Sequence, residues 1–387
     1  MRNKTIHIFS LSHLNPDGSL KIGGYENYVE NLACIFADSG YCVYLHEVSG
    51  NGKDFLLVRN GFTDIGYSIS GNFKKTCVEL QKKATKSKYF EHNDLVIWTT
   101  DYMALYNKCT NAIAIQHGIA WDIPHEKKSF LNSIKALLQI IRKTRIINKV
   151  KKMVCVDYNY WNWIKASAPF SKYSNKLVVI PNFAIVPKEF PKRSTPSNKI
   201  NICFARRFET YRGTRLMKDA IFLLSNEPNF DRMSFYFAGN GSDEEYLKSA
   251  FINFNNVFFT SYSPQESYEF HSDMDIAVIP TIGSEGTSLS ALEAMASGCA
   301  LITTAVGGLS NIIIDEYNGL ITEDNCFSLA KCIKELVDDS KKRLIIAQNG
   351  WNVVDKAFSV AKWKKDWLDL VATFFANWML PLLLWIK

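Results

Sequence analysis

Two series of short apolar runs, each run separated from the next by an amphipathic stretch, meet at a proline-bearing segment. That alternation leaves few folds open. Thr5–Ser12 reads as a buried first strand, followed by a polar loop from His13 to Gly24. Tyr25–Ser39 then carries Tyr28, Val29, Leu32, Ile35 and Phe36 at helical spacing, and Gly40 ends the helix before the next strand, Cys42–Val48. A strand–helix–strand opening of this kind feeds a parallel sheet with helices on both faces. Leu95–Thr99, Ala112–Gln116, Met153–Val156 and Leu177–Ile180 extend the first series. Ile200–Ala205, Phe235–Ala238, Val257–Thr260, Ile276–Ile279 and Ala300–Thr303 form the second. Between them Ala184–Lys199 holds three prolines and several polar groups, the composition of a linker. The expected fold is α/β: two Rossmann-like, doubly wound parallel-sheet domains facing a central cleft. The expected domains are 1–187, 188–357 and a helical segment over 358–387.

A chain of 387 residues favours two cores over one. Its nine cysteines are scattered without a Cys-x-x-Cys pair, which argues against a disulfide framework or structural zinc and for a reducing cytosol. The N-terminus enters an apolar strand at once and does not read as a signal peptide. A net charge of +7 suits anionic partners such as nucleoside diphosphates or phospholipid surfaces. No basic-aromatic RNA motif or DNA-reading helix stands out, so nucleic acid is not an expected partner.

The segment Ser284–Gly298 carries the most chemistry. Glu285 and Glu293 lie eight positions apart, on a small-residue loop leading into a short apolar helix. Gly286, Thr287 and Ser288 would present backbone N–H groups at the helix N-terminus, where a phosphate is favoured. Carboxylates beside such a site accept bonds from vicinal hydroxyls. Phosphate plus sugar hydroxyls describes a nucleotide sugar. Both glutamates also have simpler readings: Ser290–Glu293 fits a capping box, and Glu285 fits an acidic complement to a helix dipole.

This segment resembles the E-x7-E motif of retaining glycosyltransferases of family 4, which have the GT-B fold. Further segments resemble that family in its own order. Ile22–Val29 is similar to its Gly-Gly loop, Gln116-His117-Gly118 to its histidine loop, and Val179–Phe183 to the motif closing its first domain. Ala205–Gly213 is similar to its "G-R-L-x-x-x-K-G" segment. Phe237–Gly241 and Ala305–Gly308 also fit, so the likeness runs over roughly residues 5 to 325.

The resemblance implies roles. Glu293 would take the ribose hydroxyls and Glu285 the donor sugar. Arg207 and Arg212, five apart, would hold the diphosphate, with arginine at the second position where the family usually has lysine. Arg206 stands where the family has glycine and receives no role. Gly23 and Gly24 would let the backbone approach the donor. His117 would reach the reacting centre from the first domain, and Trp121 and Asp122 would lie on the acceptor side. The implied reaction is metal-independent transfer with retention, by a front-face route needing no cofactor beyond the donor. Rival readings are a GT-B nucleotide-sugar epimerase, a non-catalytic nucleotide-sugar-binding protein and a dinucleotide oxidoreductase. The last is disfavoured because no Gly-x-Gly-x-x-Gly follows the first strand.

Two segments bear on location. Lys127–Lys152 places Phe130, Ile134, Leu137, Leu138 and Ile141 at helical spacing among basic residues including Lys143. It reads either as a core-packed helix with a solvated basic face or as a binder of anionic membrane. Leu368–Ile386 is nearly apolar, and Pro381 interrupts it. It reads as an interfacial or interdomain helix, a membrane span or a tail. Together they give the expectation of a cytoplasmic protein, peripheral on the inner face of the cytoplasmic membrane. Its expected acceptor is a lipid-linked saccharide for a bacterial surface polysaccharide of the O-antigen or capsule type.

Overall fold

The computed structural model describes residues 4–21, 23–106, 109, 111–118, 130–166, 171–191, 199–283 and 285–376. Eight strands form the first sheet. They are β1 (Thr5–Phe9), β2 (Cys42–Val48), β3 (Phe55–Arg59), β4 (Phe62–Tyr67), β5 (Leu95–Trp98), β6 (Ala112–Gln116), β7 (Lys152–Cys155) and β8 (Leu177–Val179). Six form the second: β9 (Ile200–Ala205), β10 (Met233–Ala238), β11 (Val257–Thr260), β12 (Ile276–Ile279), β13 (Ala300–Thr304) and β14 (Leu320–Thr322). The orders are β3-β4-β2-β1-β5-β6-β7-β8 and β11-β10-β9-β12-β13-β14. Every pairing is parallel except β3 with β4.

The expected strands are present within a few residues, because fully buried parallel strands must be apolar on both faces. Sequence reasoning missed β3, β4 and β14. The first two form a hairpin closed by Asn60 and Gly61, with φ of 46° and 79°. That is the Asn-Gly turn whose twist matches flanking strands, so the signal was present in the chain. β14 is three residues long and too short to stand out.

Alternation along β1 divides the first core. Ile6 and Ile8 face the Gly24–Asp38 helix, while Phe9 joins Val96 and Trp98 on the other side. The terminal helix, Val360–Ala376, lies on the first of these layers. Trp363, Trp367, Leu370, Val371 and Phe374 pack into it, and the Trp367 indole donates to the Tyr28 hydroxyl at 3.1 Å. The apolar face of this helix is thus occupied by the first sheet rather than left for lipid. Residues 377–387 lie outside the described residues. No helix among the described residues is long and apolar enough to cross a membrane.

The Phe130–Asn148 helix divides in character along its length. Ile146 and Ile147 are fully buried, whereas Ile134, Leu137 and Leu138 are 40%, 56% and 50% exposed. Lys143, expected on a solvated basic face, is instead buried. It pairs with Asp101, and its ammonium lies 4.3 Å from the centre of the Tyr102 ring. Burial of that charge is tolerated because the carboxylate is beside it.

Candidate active site between the two sheets

In each sheet the order of strands reverses beside the first strand of the series: between β1 and β5 in one, and between β9 and β12 in the other. Open α/β sheets bind ligands outside the carboxyl ends of strands at such points. Here the residues leaving those strand ends meet.

On the first sheet, the Tyr25 hydroxyl bonds Thr99 at 2.5 Å and Ser10 at 3.2 Å, linking the ends of β5 and β1. His117, just past β6, sits edge-on to the rings of Tyr25 and Tyr28. Its Nε2 lies 2.8 Å from the Thr99 carbonyl. A carbonyl only accepts, so Nε2 carries the proton and Nδ1 is the acceptor. Burial lowers the pKa of this imidazole, with the Thr99 bond opposing in part. It is therefore neutral near pH 7.

On the second sheet, Arg206 follows β9 and Glu285 follows β12. The Arg206 guanidinium donates to Thr281 Oγ1 at 2.6 Å and to Glu285 Oε2 at 2.5 Å. Arg212 donates to the same oxygen at 2.5 Å, and Thr281 does so at 2.8 Å. Burial pushes the Glu285 carboxyl up, but the two arginines more than offset this and hold it below the ordinary carboxylate range. Burial lowers Arg206, with Arg212 adding repulsion and Glu285 opposing. In Arg212 the carboxylate outweighs burial and raises the pKa.

The pair on Glu285 is therefore Arg206 and Arg212. Arg207, expected beside Arg212, is exposed and forms no ion pair among the described residues. The two neighbours differ because successive side chains at a strand end point to opposite faces.

Gly213, Gly307 and Gly308 make these approaches possible. Gly213 has φ +87° and Gly307 φ +56°. A Cβ on Gly213 would overlap the Pro280 carbonyl, one on Gly307 the Glu285 carbonyl, and one on Gly308 the Gly286 backbone.

The helix after the acidic loop is Leu289–Ala296, capped by Ser288, whose hydroxyl accepts from the Ala291 N–H at 3.4 Å. Glu293 lies inside this helix and accepts a bond from Ser267 at 2.8 Å. The capping-box reading is thus replaced: Ser288 caps, and Glu293 faces a cavity. Burial raises the Glu293 carboxyl to about 7, with the Ser267 bond offsetting part. The cavity, about 470 Å³, is bounded by Gly24, Asn27 and Tyr28 from the first sheet's side and by Tyr268, Leu289 and Glu293 from the second.

Gly286 and Thr287 touch the first domain. The Thr287 hydroxyl donates to the Val156 carbonyl, and Asn182 donates to the Thr287 carbonyl at 2.7 Å. Gly23 precedes the Gly24–Asp38 helix in extended backbone, and a Cβ on Gly24 would meet Leu289 Cδ1 at 2.7 Å. Of the expected site residues, Gly23, Gly24, His117, Arg212, Glu285, Gly286, Thr287, Ser288 and Glu293 all border the junction of the two sheets. Trp121 and Asp122 lie outside the described residues. Arg206, which sequence reasoning left without a role, is central. No group of three or more His, Cys, Asp or Glu side chains fit to hold a metal occurs among the described residues.

Residues 186–353 match the family model described as Glycosyl transferases group 1. An uncharacterized glycosyltransferase of Methanocaldococcus jannaschii is 27% identical over 173 residues, 44% of this chain and 43% of that protein. The lipopolysaccharide 1,2-N-acetylglucosaminetransferase of Salmonella typhimurium is 24% identical over 149 residues, 35% of this chain and 39% of that protein. The matches to such relatives span less than half of their length. Among solved structures, sucrose-phosphate synthase of Thermosynechococcus elongatus superposes with a TM-score of 0.79 at 18% identity, over 97% of this chain and 100% of that one. Anabaena HepE in complex with UDP and glucose gives 0.68 at 15% identity, over 96% and 100%. The fold is therefore GT-B, and residues 186–353 carry a glycosyl transferases group 1 domain.

Proposed function

We propose that the protein is a retaining glycosyltransferase. It moves a sugar from a nucleoside diphosphate sugar to a saccharide acceptor. The observation that carries this is a pair of carboxylates on one loop and helix: Glu285, held by two arginines at the junction of the sheets, and Glu293, which lines the cavity between them.

In this reading the nucleoside lies along the cavity, with its ribose hydroxyls on Glu293 and its diphosphate toward Arg207, Arg212 and the N–H groups around Gly286–Ser288. Glu285 accepts from hydroxyls of the donor sugar. The bond from the anomeric carbon to the diphosphate oxygen breaks as the acceptor hydroxyl approaches on the same face. That hydroxyl's proton passes to a diphosphate oxygen, and the new carbon–oxygen bond forms where the old one was. Arginine charge stabilises the departing diphosphate, the task a metal performs elsewhere, so no metal is invoked. His117, neutral and held by Thr99, offers Nδ1 as an acceptor toward the sugar.

UDP and glucose in Anabaena HepE make UDP-sugars the first donors to test. A thermal-shift panel of nucleotide sugars with wild type and Glu293→Ala tests the reading. One donor should raise the melting temperature of the wild type and not of the variant. Equal stabilisation of both removes Glu293 from the site.

The acceptor we propose is a lipid-linked saccharide in surface polysaccharide synthesis, as the name of the Salmonella relative suggests. The exposed Ile134, Leu137 and Leu138 would meet the inner face of the cytoplasmic membrane, with Arg142, Arg145 and Lys149 near anionic headgroups. Flotation with vesicles should require anionic lipid. Flotation that ignores lipid charge, or fails with all vesicles, sinks the membrane part.

A further inference from the structure

Arg206 has no part in the mechanism just described, yet it is the more deeply placed of the two arginines on Glu285. Its side chain is 5% exposed, against 17% for Arg212. Arg206, Thr281 and Glu285 form a closed ring of hydrogen bonds: Arg206 donates to both others, and Thr281 donates to Glu285. Arg212 reaches the same carboxylate oxygen from outside this ring, with its guanidinium 5.0 Å from the centre of the Tyr211 ring.

A buried carboxylate needs one counter-charge, and stripping it of all partners is strongly unfavourable. Glu285 has two. Two guanidinium groups on one oxygen also repel each other. The second is surplus to the needs of Glu285, and the more exposed one is the one able to leave. Resting on the nucleotide-sugar reading of the cleft, we infer that Arg206 is a positioning residue. It is the standing counter-ion of Glu285, and its presence releases Arg212 to the donor's diphosphate. Without Arg206, Arg212 would be retained on Glu285 and withheld from the ligand.

The test is a mutant cycle on the full chain, with UDP and GDP binding read by calorimetry. Neither probe carries a sugar, so loss of a contact between Glu285 and a sugar does not enter. Arg206→Met should weaken binding by about tenfold or more, since Arg212 would have to abandon an otherwise unpaired buried carboxylate. Adding Glu285→Gln removes the competing charge and should restore affinity to within about threefold of wild type. A merely structural role for Arg206 would not produce that rescue. Glu285→Gln alone should bind at least as tightly as wild type, and this arm stands even if Arg206→Met fails to fold. Unchanged affinity in Arg206→Met, no rescue in the double variant, or weaker binding in Glu285→Gln each overturns the inference and leaves the nucleotide-sugar reading standing. A wild-type protein that binds neither diphosphate overturns both.

Discussion

The side-chain amide of Asn182 donates to the carbonyl of Thr287 at 2.7 Å, across 105 residues of chain. The hydroxyl of Thr287 donates in turn to the carbonyl of Val156. The loop between the two glutamates is thus fastened to the first sheet from two directions. Both are hydrogen bonds between the two domains, so this closure is the kind that a ligand can make or break.

Removing one fastening should loosen the pair of domains. Thr287→Val keeps the shape of the side chain and leaves a buried carbonyl without its donor, at a cost of about 1–3 kcal/mol. In small-angle scattering without nucleotide, the variant should have a larger radius of gyration than the wild type. Identical scattering curves would show that this contact does not hold the cleft shut.

Glu293 makes stability depend on pH with a definite sign. Its carboxyl is raised to about 7 by burial, with Ser267 opposing, while in the unfolded chain it returns to about 4.3. A raised carboxyl pKa favours the fold fully below the unfolded value, and that favour is lost as pH rises to about 7. The melting temperature of the wild type should therefore fall more between pH 5 and pH 8 than that of Glu293→Gln. Glu47, raised to about 7 chiefly by burial, acts in the same direction and is present in both proteins. Parallel pH profiles would refute the assignment.

Arg207 should separate binding from folding. Its side chain is exposed, so Arg207→Ala should leave the melting temperature without ligand nearly unchanged. If it contacts the diphosphate, affinity for the donor should drop by about tenfold, the size of a lost charged hydrogen bond. Donor affinity equal to wild type would remove Arg207 from the site and leave Arg212 as the diphosphate ligand.

The terminal helix should behave as part of the first core. Trp367 is fully buried and bonded to Tyr28. Trp367→Ala is expected to cost about 3–5 kcal/mol, through lost burial and the cavity left behind. Urea denaturation followed by circular dichroism would measure it. A loss below about 1 kcal/mol would mean that the helix docks only loosely.

The apolar runs along the chain announced most of the strands, because a parallel strand buried on both faces can hold little else. β3 and β4 escaped notice although Phe55–Val58 is apolar and Asn60-Gly61 marks the turn, because this antiparallel edge pair stands outside the alternation of strand and helix that announced the others. In the site, Glu285, Glu293, Arg212 and His117 were legible from their places in segments that resemble a known family. Glu293 shows the limit of that reading: its spacing from Ser290 suited a capping box, and only the packed helix turned it toward the cavity and Ser267. Lys143 shows another, since helical spacing counted it among the charges of a solvated face while Asp101 and Tyr102 enclose it.

Local order of residue types, then, was sufficient for two parallel sheets and an acidic loop at a helix start. Which of two adjacent arginines pairs with Glu285 was not decided at that level. Arg206 and Arg207 are chemically identical, and their fates diverge because β9 sits between β10 and β12 with one face toward Thr281 and Glu285. The contacts of Thr287 with Val156 and Asn182 likewise arise from parts of the chain more than a hundred residues apart. Such contacts depend on how the two sheets come together, and no short stretch of sequence encodes a distance in space.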